Sequence, residues 1–250
     1  MGATLALKQS LVTFLDLSDL SRAVGFDPEQ IEKIELRYGK TRARVSELFR
    51  VEPNSTGELA LTGDLRLAIN AGEGLLCGAM RVKSGVSHNA GRRMQGGRLY
   101  IEGDAGENAC NQMQEGFVSI SGNAGDNACR RMRRGVAVIG GFTGRSLGYE
   151  MLGGTLVSLG KIENPEGGGV YIGLDMDRGT IILPANTDAP PGFTRISDCD
   201  LVFLRLLFLS LRDAGVPIPQ SAIGGVFTRW RGDALRLNKG ELFIPQGAKQ

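Results

Sequence analysis

The chain has 250 residues, 37 of them glycine, a formal net charge of +2 and a single histidine. That length holds one large domain, or one with appendages. The near-neutral balance argues against a general nucleic-acid binder, and one histidine excludes a metal site built on a histidine pair. Glycine is about twice as frequent as usual, but the excess concentrates in one stretch, which marks architecture and not disorder.

Met1 to Leu5 offer no basic segment ahead of a long apolar run, so no signal peptide is expected. Residues 1–56 predict a small N-terminal α/β cap. Leu5 and Leu7 alternate with polar residues, as an opening strand does. Asp27-Pro28-Glu29-Gln30 reads as a helix start, with Asp27 as N-cap and Gln30 able to reach back; the helix is expected to end near Ile34 to Leu36. Tyr38-Gly39-Lys40 is a turn, and Ala43, Val45, Leu48, Phe49 and Val51 supply apolar anchors.

Residues 57–187 carry a repeat. Gly103-Asp104-Ala105-Gly106, Gly122-Asn123-Ala124-Gly125 and Gly141-Phe142-Thr143-Gly144 follow one another at a step of nineteen. Met94, Met113, Met132 and Met151 keep the same step, as do Gly97, Gly116, Gly135 and Gly154, and Asn89, Asn108, Asn127 and Ser146. A short fixed period means a solenoid, one turn per repeat. Leu99, Val118, Ala137 and Leu156 form one column and Ile101, Ile120 and Ile139 another two residues on, the period-two mark of a strand with one face buried. Stacked strands of this kind make a parallel sheet with about 4.8 Å between turns. Glycines fit the corners and the methionines fill the middle. Entries at Gly57, Gly78 and Gly179 extend the pattern to about seven turns, with an insertion at Glu163 to Gly169.

Residues 188–250 predict an extension. Asp188-Ala189-Pro190-Pro191-Gly192 breaks the repeat, and Asp200 to Asp213 reads as a helix ending before Gly215. Its apolar run, Leu201 to Leu211, is about half of the ~20 residues a bilayer span needs. A helix apolar on most sides either packs along the coil or turns part of itself to a neighbouring chain. Phe227 to Pro245 alternates like two short strands.

Chemistry-bearing residues are few. His88 stands at a turn beside Asn89, with no supporting acid in view. Cys77, Cys110, Cys129 and Cys199 lack C-x-x-C spacing; Cys110 and Cys129 stack on adjacent turns, close enough to bridge, and in a reducing compartment read as two small buried thiols. From Met80 to Arg145 there are ten Lys/Arg against five Asp/Glu. Arg92-Arg93 and Arg130-Arg131 share two columns two turns apart, and Arg133 and Arg134 extend the later pair. Guanidinium groups in a row suit a polyanion of carboxylates or phosphates, a contact to another protein chain, or a solvated edge. These features leave two classes: a non-catalytic docking protein, and a solenoid enzyme such as an acyltransferase, for which the residues offer little. A cytoplasmic protein with no membrane and no nucleic-acid partner is expected.

The Gly122 to Gly125 corner with Met132 and Gly135 behind it resembles the glycine-repeat coil at the end of the glutamate synthase large chain. Together with Ile34 to Gly39, Arg178-Gly179-Thr180 and Lys239-Gly240-Glu241, it resembles more closely the C subunit of formylmethanofuran dehydrogenase, over most of the chain. The bacterial form, the C subunit of the formyltransferase/hydrolase complex of methylotrophs, is the nearest likeness. The resemblance implies a right-handed parallel β-helix of 19-residue turns and a structural, non-catalytic role in a heterotetramer. The implied partners are an amidohydrolase-like subunit, a molybdopterin-enzyme-like subunit and a formyltransferase subunit. Together these move a formyl group from tetrahydromethanopterin to a methanofuran-type carrier and release formate. No catalytic residue, metal ligand or tightly held cofactor carries over to this chain. The carrier's tail is rich in glutamate, so Arg92, Arg93, Arg130, Arg131, Arg133 and Arg134 are its candidate contacts at an interface between chains. The alternatives are the C subunit of a tungsten or molybdenum formylmethanofuran dehydrogenase, and a stand-alone anion-binding β-solenoid.

Overall fold

The computed structural model describes residues 2–162 and 171–246; the insertion expected at 163–169 lies outside the described residues. The opening alternation forms β1 (Gly2–Leu7), followed by β2 (Leu15–Asp16) and the single turn α1 (Ser18–Ser21). Pro28 takes the first position of α2 (Pro28–Glu32), and the Asp27 N–H donates to Gln30 Oε1 at 3.2 Å. This helix stops before the expected Ile34, because Leu36 is buried on β3 (Glu35–Tyr38), which turns at Gly39 into β4 (Thr41–Arg44). The turn α3 (Val45–Leu48) leads into β5 (Phe49–Asn54).

The strands that follow are β6 (Leu59–Thr62), the short β7 (Ala68–Ile69), which joins a different sheet, β8 (Ala79–Val82), β9 (Gln95–Ile101), β10 (Glu115–Ile120), β11 (Val136–Ile139), β12 (Thr155–Ser158) and β13 (Arg178–Ile182). The chain closes with β14 (Thr194–Cys199), α4 (Val202–Asp213), α5 (Gln220–Ile223), β15 (Phe227–Gly232) and β16 (Lys239–Pro245). The protein is mainly β, with a twelve-stranded mixed sheet in the order β14-β15-β16-β13-β12-β11-β10-β9-β8-β6-β1-β5 and a four-stranded sheet in the order β4-β3-β2-β7.

Within the large sheet β1, β6, β8 to β13 and β16 run parallel, each paired with the next. Leu99, Val118, Ala137 and Leu156 are direct partners across four strands, which is the nineteen-residue step made physical. The step is twenty-one between Leu59 and Met80 and twenty-five between Leu156 and Ile181. A second parallel column, Val86, Ala105, Ala124, Thr143 and Ile162, links the corners. Asp104 Oδ1 accepts from the Asn123 N–H at 2.7 Å and Asn123 Oδ1 from the Phe142 N–H at 2.8 Å, so a side chain on one turn satisfies the backbone of the next.

Thr143 is the polar exception in its column. It is 1% exposed, and its hydroxyl finds no hydrogen-bond partner. An unmade bond of this kind costs about 1–3 kcal/mol. Thr143→Val is therefore expected to leave the fold intact and raise stability by about 1 kcal/mol. Urea titration checks this; a clear loss would mean that the hydroxyl is bonded after all.

The repeat's glycines serve two purposes. Gly135 has φ +85°, and a Cβ there would lie 2.5 Å from Gly116 O and 2.8 Å from Met113 Cε. The methionine methyl thus occupies the space that a side chain on the following turn would need. Met94, Met132 and Met151 do the same beneath Gly116, Gly154 and Gly179. All four methionines are fully buried, and Met176 continues the column beneath Gly240. Gly106 needs room instead: its Cβ would meet Ser87 O at 2.0 Å.

A second core lies on the opposite face of the sheet. Val138, Val157, Ile182 and Phe243 point away from the interior and are covered by Leu204, Phe208 and Leu211 of α4. This helix leaves Val202, Phe203 and Leu206 exposed. Both sheet edges carry features that discourage further pairing: Arg50, Glu52 and Pro53 on β5, and a register shift between Arg195 and Ser197 on β14. Among the described residues no helix is long and apolar enough to cross a membrane.

Candidate functional site

The parallel register brings Arg92 and Arg130 into one column and Arg93 and Arg131 into the next, with Asn111 and Gln112 on the turn between. The second column sits in left-handed backbone throughout: φ is +51° at Arg93, +56° at Gln112, +55° at Arg131 and +54° at Glu150. The guanidinium groups are not bare. Arg130 Nε and Nη2 donate to Glu150 Oε2 at 3.1 and 3.0 Å, while Arg131 donates from Nε to Oε2 at 2.7 Å and from Nη2 to Oε1 at 3.2 Å. One carboxylate is thus held by two arginines. The hydrogen bond from Arg131, with Arg130 adding to it, keeps the Glu150 carboxyl below its ordinary pKa. Arg130 also lies over the Tyr149 ring, 5.1 Å from its centroid.

Two turns earlier the same columns are looser. Arg92 Nη1 lies 3.6 Å from Glu73 Oε1, longer than a hydrogen bond, and Arg93 Nε donates to the Gln112 amide oxygen at 3.2 Å. Asn111 Nδ2 reaches Asn108 Oδ1 at 3.4 Å, and Asn111 Oδ1 is buried without a partner.

Arg133 and Arg134 part company with the other four. Met132, fully buried, lies between the two groups, and Arg133 and Arg134 line an open groove of about 500 Å³ with Gln95, Gln114, Glu115 and Leu152. The six predicted arginines therefore form a partly neutralised edge and a separate groove. Glu150 is a site residue that the arginine spacing did not reveal. It stands nineteen residues after Arg131, so complementary charge along each column is the signal that marks it.

His88 is exposed at its turn, with its ring 6.2 Å from that of Phe14. Among the described residues no three His, Cys, Asp or Glu side chains gather as a metal site would require. Cys110 and Cys129 are free and fully buried. A hydrogen bond with Cys110, aided by burial, pushes the Cys129 thiol well above its ordinary pKa, so it is an inert packing group at neutral pH. On the outer face Arg81 bridges Glu58 at 2.8 Å and Glu102 at 3.3 Å and lies 4.1 Å from the centroid of the Tyr100 ring.

The chain matches no family model and no curated protein. Among solved structures it is similar to a chain of the formyltransferase/hydrolase complex (FhcABCD) from Methylorubrum extorquens, determined in complex with methylofuran. The two superpose with a TM-score of 0.71 at 26% sequence identity, over 97% of this chain and 99% of the other.

Proposed function

We propose that this chain is the C subunit of a formyltransferase/hydrolase complex: a cytoplasmic, structural component that holds catalytic chains together and does no chemistry of its own. Its fold in this reading is a right-handed parallel β-helix over residues 57–187, capped by residues 1–56 and extended by 188–250. The observation that carries the proposal is the match to a chain of such a complex that runs almost end to end on both sides. The residue chemistry supports it. The one histidine is exposed beside a phenylalanine ring, and Arg81, Arg130 and Arg131 are engaged by carboxylates of the chain itself. Its partners are then an amidohydrolase-like, a molybdopterin-enzyme-like and a formyltransferase chain. The complex carries a formyl group from tetrahydromethanopterin to a methanofuran-type carrier and releases it as formate. Arg92, Arg93, Arg130 and Arg131 on the edge, and Arg133 and Arg134 in the separate groove, are offered as contacts for the carrier's glutamate-rich tail.

Tagging the chain in its native host and identifying what co-purifies is the test. Amidohydrolase-like and formyltransferase chains in amounts equal to the tagged chain are the expected result. Iron–sulfur and pterin-metal chains would replace the hydrolytic complex by a formylmethanofuran dehydrogenase. A lone stable monomer would overturn membership of either.

A further inference from the structure

The repeat supplies its own comparison. In the later copy, the position one turn above the arginine pair is Glu150, whose carboxylate is gripped by Arg130 and Arg131 through four N–H···O contacts of 2.7–3.2 Å. In the earlier copy, Arg92 and Arg93 occupy the same columns, and Arg92 is as exposed as Arg130, 32% against 35% of the side chain. The position above this pair is Gln112. Its backbone conformation matches that of Glu150, and its amide oxygen takes a single hydrogen bond, from Arg93 Nε. The amide brings no charge. Glu73, on the other side of Arg92, stands off at 3.6 Å. One copy is therefore closed by a carboxylate, and the other keeps the same two guanidinium groups with a neutral residue in the closing position.

We infer that Arg92 and Arg93 form an open carboxylate-binding fork, for which Arg130, Arg131 and Glu150 are the filled template. The template is itself a glutamate side chain, so the fork takes a glutamate-type carboxylate. Two planar guanidinium groups around one carboxylate give directional, charge-assisted bonds that a point charge would not. The choice of an oligoglutamate chain as ligand rests on the carrier reading above; the fork does not. The inference also sorts the arginine edge: Arg93 meets only the neutral Gln112 amide and Arg92 only the looser ion pair with Glu73 at 3.6 Å, whereas Arg130 and Arg131 bind only what can displace Glu150.

The experiment is calorimetric titration of a pentaglutamate peptide into the full-length chain at low salt, where screening is weak. Wild-type protein is expected to bind saturably. Arg93→Gln should weaken binding at least about tenfold. Gln112→Glu closes the fork with the chain's own carboxylate, so it should weaken binding to a similar degree while raising the melting temperature. Glu150→Gln reopens the later copy and should add a second binding event. Absence of saturable binding by the wild type overturns the inference, as does equal affinity of wild type and Gln112→Glu. Should Glu150→Gln fail to fold, the Gln112→Glu comparison decides alone, since it copies an arrangement the protein already accommodates two turns on. Repeating the titration on the co-purified assembly separates two sources of the carboxylate. Binding that persists there assigns the fork to a mobile ligand, and binding lost only there assigns it to a glutamate of a neighbouring chain; both uphold the fork, whichever partners are recovered.

Discussion

Gly135→Ala is expected to cost about 3–5 kcal/mol of stability, at the upper end for a single substitution. Two effects add. The backbone at Gly135 has φ +85°, where a β-carbon is strained by roughly 1–2 kcal/mol. The new methyl would also fall 2.5 Å from Gly116 O, a backbone atom, and 2.8 Å from Met113 Cε. The methionine can move, but the carbonyl of the neighbouring turn cannot without breaking the ladder that joins β10 to β11. Gly57→Ala isolates the first effect, because Gly57 has φ +74° and a β-carbon added there would meet nothing within 4 Å. It should cost only the strain. Urea midpoints of the two variants check the argument: equal losses would show that the stacking of turns contributes nothing, and only a much larger loss at Gly135 supports it.

Most of the large sheet was legible in the sequence because each turn repeats the demand of the last. The columns Leu99 to Leu156 and Ile101 to Ile139 are strand partners at the register their spacing implies. Complementarity within a column was harder to see. Arg131 and Glu150 share a column but not a residue type, so a reading built on identity passes over their bond. Met176 hides behind the twenty-five-residue step, although it fills the same space as Met151. The outer core has a sequence signal of another kind. Val136-Ala137-Val138-Ile139 is an unbroken apolar run, which means a strand covered on both faces. The run marks a strand whose outer face needs cover, and in the structure α4 covers Val138 there.

Phe208→Ala is the second large effect, about 3–5 kcal/mol by cavity arguments, and it should be confined to one part of the molecule. Phe208 is 1% exposed and stacks on Phe227 with ring centroids 5.9 Å apart. Its cluster, with Val138, Val157, Ile182 and Phe243, is separate from the interior cluster that holds the methionine column. The sheet lies between the two, so loss of the helix contact leaves the stacked turns and their hydrogen bonds in place. Hydrogen exchange measures this directly, because local opening sets the protection of each element. Amides of α4 should exchange much faster in the variant, while those of β9, β10 and β11 keep their wild-type protection. Leu206→Ala on the same helix, where the side chain is 60% exposed, should change neither. A uniform loss of protection across the sheet in Phe208→Ala would mean that the two clusters unfold as one. The outer helix would then be a condition for the large sheet to exist, not an addition to its outer face.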